Sequence, residues 1–85
     1  MATIKKTIGR DDWTQITTGT QSALVQFSGD VLFCDNPVKP EQDNAAHYCE
    51  KYKMLNVTPP ATLWVKTTGF CSVAEAIISV SKDGL

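Results

Sequence analysis

The segment ALVQFSGDVLFCDN, residues 23–36, constrains the fold more than any other part of the chain. Two apolar runs flank Gly29-Asp30, and glycine at the first position of a two-residue turn accepts a positive φ at no steric cost. This pattern predicts a β-hairpin in which Phe27 lies opposite Leu32. Both faces of that hairpin carry apolar side chains, whereas an antiparallel sheet with one solvated face alternates apolar and polar residues.

The predicted register divides the hairpin side chains into two rows, because opposed residues of a hairpin share a face. One row is apolar apart from a thiol, and we expect it to form the core: Ala23, Val25, Phe27, Leu32 and Cys34. The other row mixes apolar and polar groups, and we expect its apolar members to contact another subunit: Leu24, Val31 and Phe33. One extra residue in the turn would exchange the two rows of the second strand.

Further strands are predicted on both sides of the hairpin from alternation and β-branched content. They are TIKKTI at 3–8, DWTQIT at 12–17, KMLNV at 53–57, ATLWVKT at 61–67 and SVAEAIISVS at 72–81. About seven short strands with turn signals between them, and no repeat or linker, predict a single domain over residues 1–85. Its expected fold is a compact antiparallel β-sandwich or flattened barrel. Residues 38–52 are expected to form one long loop, with a short helix at 41–52 as the alternative.

The small size of the chain raises the question of what stabilises it. A chain of 85 residues buries only about 60–65% of its unfolded surface, so disulfides, a metal or a partner subunit usually contribute. Three cysteines without a CxxC pair argue against a disulfide framework. A zinc site would need the following ligands, which lack the usual paired spacing: Cys34, His47, Cys49 and Cys71. We therefore expect no metal and no cofactor, and we expect a partner subunit.

Charge and composition exclude several function classes. Eight basic and nine acidic residues are scattered along the chain, so there is no basic stripe for nucleic acid. No apolar run reaches the roughly 18 residues of a membrane span, and the start does not have the pattern of a signal peptide. The nearest approach to a catalytic set is His47, Cys49 and Glu50, but their spacing does not orient a base against a nucleophile. We expect no catalytic residues and no enzyme activity.

Trp13 and Trp64 suggest an alternative function. Exposed tryptophans on a β-sandwich form platforms on which sugar rings stack, although packing in a core or an interface is the more frequent fate of this residue. The alternative prediction is therefore a carbohydrate-binding or receptor-binding module.

Several segments follow one another over most of the chain: the tryptophan strand near the start, the strand ending in Cys34-Asp35-Asn36-Pro37, the loop from Asp43 to His47, and Pro60-Ala61-Thr62 leading into Leu63-Trp64-Val65-Lys66. Taken in this order, they resemble the small β-sandwich virion proteins of tailed bacteriophages. The resemblance implies a structural role in the virion, as head decoration, as a tail knob or accessory protein, or as a fibre anchor.

Residues and resemblance lead to one expectation. The chain is predicted to be a non-enzymatic virion protein that is made in the bacterial host cytoplasm and binds other virion subunits, namely tail, portal-proximal or capsid proteins. It is also predicted to self-associate, with a trimer as the expected ring form. A host-receptor-binding or carbohydrate-binding module of the phage particle is the alternative.

Overall fold

The computed structural model describes residues 2–10, 12–68 and 73–81, and these residues form two packed antiparallel sheets. Their strands are β1 (Ala2–Gly9), β2 (Thr14–Gln15), β3 (Ser22–Phe27), β4 (Val31–Asp35), β5 (His47–Cys49), β6 (Met54–Val57), β7 (Leu63–Thr67) and β8 (Val73–Ser81). Sheet A has the order β1-β8-β3-β6, and sheet B has the order β2-β7-β4-β5. The predicted all-β sandwich class is confirmed, with eight strands in the described ranges.

The core lies between the two sheets and is built from the inward row of each strand. Sheet A contributes Ile8, Ala23, Val25, Phe27, Val57, Ala74, Ala76 and Ile78, and sheet B contributes Val31, Cys49, Leu63 and Val65. Each row follows the period of two that alternates side chains between the faces of a strand. Burial of these side chains is the main term that favours folding.

The predicted hairpin at 23–36 is wrong, because β3 and β4 belong to different sheets. β3 pairs with β6 and β8, whereas β4 pairs with β5 and β7. Residues 28–30 connect the strands across the gap between the sheets. This connection is anchored to the turn that follows β5, since Asp30 Oδ1 accepts the backbone N–H of Lys51 at 2.9 Å.

Residues 28–30, called the arch because they connect strands of different sheets, change which residues of β4 face the core. Ala23, Val25 and Phe27 of β3 lie between the sheets as expected. In β4 the two rows are exchanged: Val31 is fully buried in the core and Phe33 packs against it. The expectation that Val31 contacts another subunit is therefore wrong. Leu32 and Cys34 point to the other side of sheet B, so the prediction that they share a face with Phe27 is wrong. Cys34 is buried as predicted, but in a second apolar cluster, and Leu32 is only partly buried.

That other side of sheet B has its own cover. Cys34, Trp13 and Trp64 form a second buried cluster, against which Leu32 packs. Residues 36–46, called here the covering segment, close over it in irregular conformation with Pro40 buried. Both faces of β4 are apolar because sheet B is covered on both sides, by sheet A and by the covering segment.

The covering segment lies in the region predicted as one long loop. Residues 38–46 contain no helix or strand, and β5 then adds three residues to the edge of sheet B. The helix alternative at 41–52 is not observed in these residues. β5 was not predicted because three residues are too few to show a clear alternation. This edge strand depends on its pairing with β4, in which Val31 lies opposite Cys49.

Candidate functional site

The outer face of sheet A exposes a group of apolar side chains. Leu24 is 48% exposed, Met54 56% and Ile77 37%. Gln26 pairs with Met54 on one side and with Ile77 on the other, and Leu24 lies two residues along the same strand. Side chains at such direct and diagonal positions contact one another. We call Leu24, Gln26, Met54 and Ile77 the outer patch.

Charges on β1 and β8 lie to one side of the outer patch. Lys5 Nζ lies 3.6 Å from Glu75 Oε2, and both side chains are largely solvated. In the next row, the hydroxyls of Thr3 and Ser79 are hydrogen-bonded at 2.7 Å. A solvated sheet face is normally polar along its whole length. The outer patch is therefore a mainly apolar group with polar and charged side chains on its β1 side.

The three residues predicted to contact another subunit lie in three different environments. Leu24 is exposed on the outer patch, Val31 is buried, and Phe33 lies at the margin of the core. The structure does not bring these residues together on one surface. Met54 and Ile77, which sequence reasoning missed, join Leu24 instead. A sequence pattern could have indicated Met54 and Ile77: each is an apolar residue in the outward row of a strand whose inward row is also apolar.

A cleft of about 290 Å³ lies between the two sheets at the edge formed by β5 and β6. Its walls are mostly apolar, with Asp35, His47, Asn56 and Thr58 among the polar residues that line it. Phe33 and His47 are neighbours in this lining, with ring centroids 5.2 Å apart. Asp35 Oδ1 is held by the backbone N–H of Thr62 at 2.8 Å. The cleft is at the small end of the range for ligand pockets.

The two tryptophans do not form an exposed platform, contrary to the alternative prediction. Trp13 is 3% exposed and Trp64 is 9% exposed. Their indole N–H groups donate to the carbonyl oxygens of Glu41 and Asn36, each at 2.8 Å. Lys66 Nζ lies 4.7 Å from the centroid of the Trp13 ring, in the geometry of a cation–π contact. These residues fix the covering segment in place.

The described thiols are poorly placed for chemistry. Cys34 faces the covering segment and Cys49 faces the core between the sheets, so they lie on opposite faces of sheet B. Burial raises the pKa of both thiols, which lowers the fraction of reactive thiolate. His47 contacts the Phe33 ring and lies on the strand that carries buried Cys49. This geometry offers no accessible nucleophile beside a base.

Within residues 2–10, 12–68 and 73–81, no group of three His, Cys, Asp or Glu side chains is arranged to hold a metal ion. Cys71 lies outside these ranges, and Cys34 and Cys49 cannot be ligands of one ion because the sheet separates them. The same ranges contain no helix that could cross a bilayer.

Comparison of the chain with protein-family models, with curated proteins and with solved structures found no match. The resemblance to small phage virion proteins therefore stays a prediction, and the case for function depends on the surfaces described above.

Proposed function

We propose that this chain is a non-enzymatic structural subunit of a tailed bacteriophage virion, and that it binds other virion proteins and copies of itself through sheet A. The observation that carries the proposal is the outer patch. A small sandwich gains stability by burying such a surface against another subunit. A tail knob or accessory protein and a head decoration protein are the two forms of this role.

The chemistry of the described residues supports a binding role over an enzymatic one. The thiols of Cys34 and Cys49 are buried on opposite faces of sheet B, and the lining of the cleft contains no pair of carboxylates. Carbohydrate or receptor binding through Trp13 and Trp64 has no specific observation in its favour, since both indoles are covered. Intrinsic fluorescence titrated with host surface polysaccharide is expected to show no shift for this reason.

Self-association through the outer patch is tested by sedimentation of the purified protein and two variants. Ile77→Asp places a charge on the β8 side of the patch. The variant is expected to shift the oligomer, which we expect to be a trimer, toward monomer. Val38→Asp is the matched control, because Val38 is 68% exposed and lies on the covering segment, across the sandwich from sheet A. Dissociation of both variants would show that the interface does not depend on the outer patch.

Membership of the virion is tested on purified particles of the phage whose genome carries the gene. Quantitative mass spectrometry is expected to find the chain at a fixed copy number per particle. The position of the gene relative to the portal, capsid and tail genes separates the head form of the role from the tail form. Absence from particles, together with a monomeric free protein, would overturn the proposal.

A further inference from the structure

In the part of the chain that the structure describes, β1 forms a long edge of sheet A. This strand spans Ala2–Gly9 and pairs only with β8 among the described strands. The other edge strands are much shorter: two residues in β2, three in β5 and four in β6. An edge of this length is a template for an added strand, which proteins either block or use.

The hydrogen bonds of Glu75 show which backbone groups of β1 are free. Its N–H donates to Ser28 Oγ at 2.9 Å and its C=O accepts the N–H of Ser28 at 2.9 Å, so its backbone points toward β3. The N–H and C=O of one residue point the same way, and successive residues alternate. Ala74, Ala76 and Ile78 therefore direct their backbone groups toward β1.

The register then fixes the two sets of residues on β1. Ile4, Lys6 and Ile8 lie opposite Ile78, Ala76 and Ala74, and bond to them. The residues between them direct their N–H and C=O groups away from the sheet: Thr3, Lys5 and Thr7. The free edge thus presents a regular series of donors and acceptors at the spacing of an antiparallel ladder.

The side chains of β1 indicate what lies beside this edge. Ile4 is on the inward row, opposite the buried Ile78, and is nevertheless 49% exposed. The strand of sheet B that lies across from β1 is β2, and its two residues leave much of Ile4 uncovered. Lys6 reaches across to β2 and donates to the carbonyl oxygen of Gln15 at 3.0 Å. A strand added to β1 would cover Ile4 with its own inward side chain.

Charge argues against a second copy of β1 as this added strand. Antiparallel pairing that continues the sheet keeps each residue on its own face, so even-numbered residues oppose even-numbered ones. The two registers with the longest overlap then place Lys5 opposite Lys5 or Lys6 opposite Lys6, and directly opposed like charges are destabilising. Glu75 contacts Lys5 from the β8 side, while Lys6 has a neutral carbonyl as its partner.

We infer that the β1 edge binds an extended segment of another protein by antiparallel strand addition, with carboxylates opposite Lys5 and Lys6 and an apolar residue opposite Ile4. The backbone ladder supplies affinity and the two charges set specificity. This interaction surface is the edge of β1, and it adjoins the outer patch where Lys5 lies opposite Ile77. The virion proposal and this inference use different residues and different experiments, so either can fail alone.

The first test uses two peptides and the full chain. Acetyl-TVTEEVT-amide places its two glutamates opposite Lys6 and Lys5 and a valine opposite Ile4, and acetyl-TVTKKVT-amide is the charge-reversed control. Isothermal titration is expected to give at least about tenfold tighter binding of the glutamate peptide. Equal affinity, or no binding of either peptide, would overturn the inference.

Two further comparisons separate strand addition from simple charge attraction. N-methylation of the second glutamate removes the N–H that faces Lys5 and is expected to abolish binding. N-methylation of the first glutamate removes an N–H that points away from β1 and is expected to preserve binding. Equal effects of the two methyl groups would rule out the proposed ladder. The Lys5→Glu, Lys6→Glu double variant is expected to reverse the peptide preference; should it fail to fold, the N-methyl pair on the natural chain decides the matter.

Discussion

The indole N–H of Trp13 donates to the backbone carbonyl oxygen of Glu41 at 2.8 Å. These residues are 28 positions apart, and the bond fixes the covering segment over sheet B. Beneath it lie Cys34 and Trp64, which are buried although they face away from sheet A. The sandwich therefore behaves as three layers on this side, and the third layer has no regular secondary structure.

Trp13→Ala is expected to loosen the third layer. Removing a buried tryptophan costs about 3–5 kcal/mol of unfolding free energy. Part of that cost is expected to appear as detachment of the covering segment while the two sheets stay folded. Iodoacetamide labelling followed by peptide mapping is expected to show faster modification of Cys34 with little change at Cys49, which lies in the other core. Equal acceleration at both thiols would mean that the whole domain opens.

The core between the sheets is tested by Phe27→Ala. Phe27 is among the largest fully buried side chains, so its truncation is expected to cost about 3–5 kcal/mol, a large part of the stability of a small domain. Leu24→Ala, three residues earlier and on the outward row, is the matched control and is expected to change stability by about 0.5 kcal/mol or less. Urea titrations of monomeric protein measure both, and similar costs would contradict the assignment of the two rows.

Phe33→Ser tests whether this side chain belongs to the core, as in the structure, or to a contact with another subunit, as the hairpin register predicted. Phe33 packs against the core and lines the cleft, so the variant is expected to lose folding stability, by about 1–3 kcal/mol. A folded protein of unchanged stability, with weakened binding only, would show that this ring belongs to an intermolecular surface. Thermal melts followed by circular dichroism distinguish the two results.

The sequence predicted a strand at the position of every described strand except β5, because alternation is a local signal. The inward rows of β3, β6, β7 and β8 were each readable from their own residues, and the sandwich class followed from their number. The partner of each strand was not readable, because Gly29-Asp30 is compatible with both a hairpin turn and an arch between sheets. Because the connection is an arch, the two rows of β4 are exchanged relative to the prediction, and Leu24 lies on a different surface from Val31 and Phe33. The role of residues 36–46 as a cover was missed because the tryptophans that hold the segment donate to its backbone carbonyl oxygens, which carry no residue-type signal.

Gly19 is a position where the backbone requires glycine. Its φ is +91°, and a Cβ at this site would lie 2.8 Å from Thr62 Oγ1. Gly19→Ala is therefore expected to destabilise the domain by about 1–2 kcal/mol, from backbone strain and steric overlap. Gly9→Ala is the matched control, because no atom lies within 4 Å of its Cβ position. Equal unfolding midpoints for the two variants would contradict this assignment.

Asp30 gives the fold a pH dependence with a definite sign. Hydrogen bonds from the backbone N–H of Lys51 and from the side chain of Tyr48 hold the pKa of the Asp30 carboxyl below its ordinary value of 3.8. The folded state therefore favours the carboxylate, and the stability this provides is present at neutral pH and lost as the pH falls below 3.8 through the folded-state pKa. The bonds join the connection between β3 and β4 to Tyr48 of β5 and to Lys51 in the turn that follows β5.

Asp30→Asn tests that sign, because the amide keeps the size and one acceptor oxygen but carries no charge. The natural chain is expected to be more stable than the variant at about pH 7, and the difference is expected to shrink below about pH 4, where the carboxyl becomes neutral. Tyr48→Phe removes one of the two donors and is expected to retain part of the pH dependence. Urea titrations across this range measure all three proteins. A difference between the natural chain and Asp30→Asn that stays constant down to about pH 2 would show that the charge of Asp30 does not stabilise the arch.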